Sequence, residues 1–261
     1  MTMRSACLFF IFSALALGLF HPGNALARDA TPPSDRARRV LARIDDLWRS
    51  TSSHGIMTMR VVTSHYQRRL KLEEWSRGKE ESLVRILYPN KEKGTATLKS
   101  GKIIYTYLPR TDRTIRLTSS MMMGSWMGSH FTNDDLVKES RLADDYDPKI
   151  VFEGERGGRK IIEIRLHPRP DAAVVWDLIE IEVDRALDLP RVCRYYDEDG
   201  RLVRSLFFTR PRRFGRRLVP SVMRVVPEDK EGEFTELTYL SLEFGLDFPD
   251  GFFSVNHLRR R

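Results

Sequence analysis

Between residues 57 and 244 the sequence keeps alternating apolar with polar residues at a period of two, and this pattern restricts most of the chain to β structure. Ile162, Ile164 and Leu166 fall on one side of a strand while Glu163 and Arg165 fall on the other, and Ile179, Ile181 and Val183 oppose Glu180 and Glu182 in the same way. Met57, Met59 and Val61 alternate with Thr58, Arg60 and Val62, and Leu70 and Leu72 with Arg69, Lys71 and Glu73. Turn signals punctuate the pattern at Arg77-Gly78, Ser100-Gly101, residues 109–112, Gly157-Gly158, Asp199-Gly200, Phe214-Gly215 and Glu231-Gly232. Strands are expected at 83–88, 95–99, 103–108, 113–117, 150–153, 161–166, 178–183, 191–196, 202–208, 218–226 and 234–244. About a dozen short strands with few helices predict a mainly β fold, an antiparallel sheet that curls into a barrel or half-barrel.

Such a sheet has one wet face and one long dry face, and the dry face needs a cover. Few segments are available for that. Ser34 and Asp35 can cap a helix over 34–50 in which Val40, Leu41, Ile44, Leu47 and Trp48 form one apolar stripe, ending near Ser52-Ser53-His54-Gly55. Thr132, Asn133 and Asp134 can cap a second, shorter helix through Leu142. Either the sheet closes on itself, or it leaves an apolar cavity beneath these helices.

The run over 121–140, MMMGSWMGSHFTNDDLVKES, stands apart from the charged strands around it. Methionine repacks around irregular apolar shapes, Trp126 supplies a large apolar face, and Gly124 and Gly128 free the backbone. The run is either an adaptable lid over a hydrophobic ligand or a buried, Met-rich connector. On the lid reading, Trp75, Leu87, Tyr105, Tyr107, Met121, Met122, Met123, Trp126, Met127 and Phe131 contribute to one apolar cavity and its cover.

The N-terminus reads as a secretory leader. Arg4 precedes the apolar stretch 7–20, CLFFIFSALALGLF, and Ala25-Leu26-Ala27 forms a cleavage site, so residues 1–27 are expected to be removed and 28–261 to form a single exported domain. A retained anchor is the alternative, opposed by His21-Pro22-Gly23, which breaks the run before the ~20 apolar residues of a membrane span. Cys7 has no lipobox in front of it. Cleavage leaves Cys193 as the only thiol, which excludes an internal disulfide and puts the burden of stability on a hydrophobic core. The formal net charge of +8 points, in an exported protein, to anionic lipid surfaces or an acidic partner rather than nucleic acid. The basic run over 210–217 and the terminal Arg259-Arg260-Arg261 are either part of such a surface or a solvated turn and a frayed tail.

Motifs for chemistry are missing: there is no G-x-S-x-G elbow, H-E-x-x-H, Walker loop or C-x-x-C. His130 with Asp134 and Asp135 reads as an acid–base or metal cluster, or more simply as a helix cap. No catalytic residue, metal or cofactor is assigned, and the chain reads as a binder.

The helix around Val40-Leu41-Ala42-Arg43-Ile44-Asp45-Asp46-Leu47, the segments Lys93-Gly94-Thr95-Ala96-Thr97-Leu98 and Tyr105-Thr106-Tyr107-Leu108-Pro109, and the ending Phe248-Pro249-Asp250-Gly251-Phe252-Phe253-Ser254 resemble LolA-like outer-membrane lipoprotein-sorting proteins. The resemblance spans nearly all of 28–261 and is strongest to a longer, poorly characterised branch in which the Met-rich run is itself a signature. It implies a strongly curved, incomplete antiparallel barrel covered by an N-terminal helix and a short Met-flanked helical lid, with a cavity for lipoprotein acyl chains. It also implies a periplasmic shuttle between an inner-membrane transporter and an outer-membrane acceptor. By position, Arg77 is the match to an arginine that gates the lid in better-known carriers, although the local sequence departs from their pattern. Two other readings stand beside the carrier: a periplasmic lipid or lipoprotein sensor that regulates an inner-membrane partner, and a lipid hydrolase, which the missing nucleophile motif argues against.

Overall fold

The computed structural model describes residues 33–138 and 141–259; the leader assigned to 1–27, together with Arg260 and Arg261, lies outside the described residues. The chain opens with helix α1 (Pro33–Asp45) and then forms strands β1 (Ser52–Val62), β2 (Gln67–Arg77), β3 (Glu81–Tyr88), β4 (Ala96–Ser100), β5 (Ile103–Leu108) and β6 (Arg113–Arg116). Short helices α2 (Asp135–Lys138) and α3 (Leu142–Asp145) follow. Strands β7 (Tyr146–Arg156), β8 (Arg159–Pro168), β9 (Leu178–Asp184), β10 (Leu189–Tyr196), β11 (Leu202–Phe214), β12 (Arg217–Pro227) and β13 (Phe234–Phe244) complete the sheet, and α4 (Val255–Leu258) ends the described chain.

All of these strands belong to one antiparallel sheet of thirteen, in the order β6-β5-β4-β3-β2-β1-β13-β12-β11-β10-β9-β8-β7. Every neighbour is a hairpin partner except β1 and β13, which pair from Ser53 opposite Phe244 to Val62 opposite Phe234. The sheet does not close. Its two edges are β6 and β7, consecutive in the chain, and residues 117–145 run between them.

One departure from the sequence pattern is instructive. Residues 52–55 were expected to end a helix, yet they begin β1, and α1 stops at Asp45. The pairing partners decide this: a Cβ on Gly55 would meet Leu242 Cδ1 at 3.2 Å and the Ser241 carbonyl at 3.3 Å, so glycine lets β13 lie against β1 there without displacing either.

Alternation sends Met57, Met59 and Val61 of β1, Leu70 and Leu72 of β2, Val84 and Ile86 of β3, and Ile162 and Ile164 of β8 into a single buried cluster. Strands from both halves of the sheet thus meet around the same core, which the sheet surrounds by curving. Ala37, Val40, Leu41 and Ile44 of α1 fill it from the open side. The arginines on the helix's other flank hold it to the rim: Arg36 makes two 2.7 Å bonds to Glu153, Arg38 one of 2.7 Å to Asp147, and Arg43 one of 2.8 Å to Asp188.

A second, smaller core lies on the outer face. Trp75 stands opposite Leu83, Leu83 opposite Leu98, and Leu98 opposite Tyr105, while Ala96 pairs with Tyr107. This cross-strand row packs under Phe248, Phe252, Phe253, Val255 and Leu258 of the C-terminal segment. Phe253 is buried in this layer whereas Leu240 on β13 is exposed. Phe253→Ala is therefore expected to cost about 3–5 kcal/mol in urea unfolding, and Leu240→Ala less than about 0.5 kcal/mol. Equal effects would mean that the C-terminal layer is not a core.

Candidate functional site

Between β6 and β7 the described residues 117–138 and 141–145 form a plug over the open side of the sheet. Ser125 bridges Thr132, the Trp126 N–H donates to the Phe131 carbonyl at 2.8 Å, and the Asp134 N–H donates to the Met122 carbonyl at 2.9 Å. Thr132 caps α2 as its sequence suggested: its hydroxyl accepts from the Asp135 N–H at 3.2 Å and its own N–H donates to Asp135 Oδ2 at 2.8 Å. The expected single helix through Leu142 is instead two short ones, α2 and α3.

Polar bonds pin the plug on three sides. Tyr66 Oη donates to the Gly128 carbonyl at 2.6 Å and Arg68 Nη1 to the Met127 carbonyl at 2.7 Å, both from the β1–β2 hairpin. Gly128 does not act as a loose hinge, as its composition-based reading had it. It holds φ +66°, and a Cβ there would meet Arg68 Nη1 at 2.8 Å. On another side His130 Nδ1 lies 2.9 Å from Thr235 Oγ1 and Nε2 lies 3.0 Å from Glu233 Oε2; since a carboxylate only accepts, Nε2 carries the proton. The Ser64 N–H and His130 together hold the Glu233 carboxyl down at about 2, so it stays charged at ordinary pH. Third, Arg204 forks onto Asp135 with bonds of 2.8 and 2.5 Å while stacking on Trp176 and Tyr195. The His130 group accordingly ties the plug to Thr235 and Glu233 beside β13.

Beneath the plug lies a cavity of about 90 Å³. Trp126, Phe131, Leu136 and Leu142 roof it, Ile44 and Trp48 close it from the helix side, and Met57, Val84, Cys193, Tyr195, Leu206, Phe208, Met223, Leu237 and Tyr239 form its floor. Trp126 is fixed by a 3.2 Å bond from Nε1 to Thr97 Oγ1, and Trp48 by one of 3.1 Å to the Pro220 carbonyl. A smaller space of about 30 Å³ continues past Phe131, Leu142 and Tyr195 toward Val174 and Trp176.

The polar lining is sparse. Tyr239 donates to Glu74 Oε2 at 3.0 Å, and Asp135 is taken by Arg204. Asp45, at the end of α1, has a side chain with 0% exposure. Its Oδ2 accepts from the Ala143 N–H at 3.4 Å and faces Lys79 Nζ at 3.8 Å, while Oδ1 has no hydrogen-bond partner. Burial pushes its carboxyl up to about 7, with Lys79 offsetting only part of the shift. Arg49, one turn on, also lines the cavity, and its buried Nη1 likewise lacks an acceptor.

The residues expected to share one cavity divide between two faces. Trp126 and Phe131 line the cavity, and Met127 packs beside the inner core. Trp75, Tyr105 and Tyr107 belong to the outer core, and half-buried Leu87 falls on that face by alternation with Val84 and Ile86. Met121 and Met123 are 41% and 50% exposed and Met122 is half-buried, so these three cover the plug's outside rather than the cavity. Arg77 shares the outer face with Trp75, bonding Glu81 at 2.5 Å and stacking on Phe253, and does not reach the cavity. Asp45, Arg49 and Glu74 carry no site signal in the sequence, because each reads as the polar side of an amphipathic element; only the cover turned onto them makes them lining residues.

Among the described residues, no cluster of three His, Cys, Asp or Glu side chains is placed to hold a metal ion, and no helix is long and apolar enough to cross a membrane.

A family model described as "Uncharacterized protein" matches residues 78–260, and the chain belongs to that family. No curated protein matches the sequence. Among solved structures, a DUF1329 family protein from Desulfovibrio piger superposes with a TM-score of 0.77 at 22% identity, covering 87% of this chain and 100% of its own. A putative outer membrane lipoprotein-sorting protein domain from Vibrio parahaemolyticus gives 0.74 at 20% identity, with 87% and 100% covered. A LolA superfamily protein from Nitrosomonas europaea gives 0.71 at 21% identity, with 85% and 98% covered. The fold is thus LolA-like, as the sequence resemblance implied.

Asp45 makes a signed prediction. Its folded-state value of about 7 lies above the ordinary 3.8, so the folded protein binds the extra proton between those values and loses stability as pH rises through them. Asp45→Asn removes that loss: its stability relative to the parent should grow by up to about 4 kcal/mol between pH 4 and pH 8 in denaturant titrations. A pH-independent difference would place the Asp45 carboxyl in water.

Proposed function

We propose that this protein is a periplasmic carrier that takes up the acyl chains of lipoproteins or lipids beneath the 117–145 plug and passes them from an inner-membrane transporter to an outer-membrane acceptor. The observation that carries the reading is the apolar cavity between the inner face of an unclosed sheet and a separately pinned cover. Structural likeness to a lipoprotein-sorting domain supports the same ligand class.

The cavity's size defines the mechanism. About 90 Å³ is far below the ~300 Å³ at which ligand pockets begin, so an acyl chain enters only if the cover moves. Loading a chain means moving Trp126 and Phe131 outward while the sheet stays put. The latch bonds at Tyr66, Arg68, His130 and Asp135 are polar, so a partner surface can replace them, while Trp126, Phe131 and Leu142 leave the inner core as the plug lifts and the acyl chain takes their place. Burial of a chain of about sixteen carbons recovers on the order of 10 kcal/mol, about what it recovers in a bilayer, so uptake is near balance and direction comes from whichever partner opens the plug. In the opened state the exposed Met121 and Met123 and the half-buried Met122 supply an adaptable apolar rim for the chain. A net charge of +8 favours brief contact with an anionic membrane surface during exchange.

Titration with a fluorescent acyl-chain probe tests the proposal. Trp126→Ala is expected to change probe affinity by at least tenfold. Replacing Met122, Met123 and Met127 together with Ser should weaken binding far more than it lowers the melting temperature. If the triple variant melts early and binds the probe as well per folded molecule, the Met-rich plug is structural only. Native mass spectrometry of protein taken from its own periplasm reads the cargo: a co-purifying lipopeptide or lipid supports the carrier, and an empty protein that also ignores the probe refutes it.

A further inference from the structure

The inner cavity is mostly apolar, and of its charged lining residues Glu74 accepts from Tyr239 and Asp135 pairs with Arg204, whereas Asp45 at the end of α1 and Arg49 just past it each keep a buried polar atom with nothing to bond. Asp45 Oδ1 accepts no hydrogen bond although its side chain is wholly buried, and Arg49 Nη1 donates none. Buried donors and acceptors are almost always satisfied, since each orphan costs a desolvation penalty that nothing returns. Two such orphans on neighbouring residues that both line one cavity mark a place where a ligand can supply the partners once the cover moves.

We infer that this end of the cavity receives the carboxylate of a single-chain fatty acid, with the Arg49 guanidinium donating to it and the chain running along the wall toward Trp126, Phe131 and Leu206. The inference rests on the acyl-carrier reading and deepens it by naming the head group. Charge selects an anion. Arg49 and Lys79 bring two cations to this end, Lys79 being shared between Asp45 at 3.8 Å and Asp144 of α3 at 3.6 Å. Glu74 on the facing strand already accepts from Tyr239, and Asp135 is neutralised by Arg204. Asp45 itself is protonated through much of the range below pH 7, so it offers a hydroxyl to a second carboxyl rather than a repelling charge. A guanidinium and a carboxylic acid converging on one cavity match the two oxygens of a carboxylate. The continuation toward Val174 and Trp176 gives the chain a direction once the plug lifts.

The alternative source of the same oxygens is an ester-linked acyl chain, and a matched set of probes separates the two. The full-length exported protein is titrated by competition against an acyl fluorophore with dodecanoic acid, methyl dodecanoate, 1-dodecanol and dodecylamine, at pH 6 and pH 8.5. Dodecanoic acid is expected to bind at least tenfold tighter than the alcohol and the ester at pH 6, and to lose several-fold of that preference at pH 8.5 as Asp45 ionises. Arg49→Met should abolish the preference for the acid over the alcohol, and Arg49→Lys should retain part of it. Asp45→Asn should flatten the pH dependence. Melting temperatures of each variant confirm that folded proteins are compared. Equal binding of acid, ester and alcohol overturns the head-group assignment and leaves the carrier intact, and so does tighter binding of the amine. Failure of every chain to bind overturns both readings.

Discussion

Pairing of β1 with β13 is the contact on which the rest of the molecule depends. It joins the first six strands to the last seven across the only neighbours in the sheet that are not a hairpin. Two consequences follow. The sheet's free edges become β6 and β7, which are adjacent in sequence, so their connection has to cross the gap they leave. The inner faces of β1–β3 and β8–β13 are also brought around one core that α1 enters from that gap. Residues 117–145 are a cover because of where the sheet stops.

The exposed edges are managed as an open sheet requires. β6 is a short Arg-Thr-Ile-Arg strand, too brief and too charged to recruit another strand, and β7 carries Glu153 and Asp147, which the arginines of α1 occupy. The same ion pairs that seat α1 therefore also blunt an edge. Their partly exposed position makes them guides for orientation more than sources of stability. Stability is concentrated in the two apolar layers, the inner of which includes Trp126, Phe131 and Leu142 of the plug.

The cavity gathers opposing requirements in one place. An apolar wall favours a chain, and Asp45 and Arg49 are unfavourable there unless something answers them. Natural sequences accept such local conflict where function needs it, which is why these two residues carry more information than the methionines that first draw the eye. Met121 and Met123 face out, Met122 is half-buried, and Met127 packs beside the inner core.

Much of the architecture was legible in the amino-acid order because its signals are local. Period-two alternation and glycine-bearing turns give the strands, the stripe Val40, Leu41, Ile44 gives the helix, and Thr132 with Asp135 gives a cap, each within a few residues of chain. Which face of a strand becomes the cavity is not local. Trp75, Tyr105 and Tyr107 have the same apolar character as Trp126 and Phe131, and alternation says only that they share a side of their strands. Tertiary structure decided that the C-terminal phenylalanines cover that side and that the β6–β7 connection covers the other. It also decided that Ser52–Gly55 extend a strand, through the approach of Leu242 and Ser241 to a glycine, and that Asp45 is buried, through the packing of α3 on α1. The sequence by itself determined which elements form, since backbone preference and periodicity act over short distances. Only the folded chain determined what those elements enclose, since enclosure depends on residues as far apart as Asp45, Phe131 and Tyr239 meeting in one space.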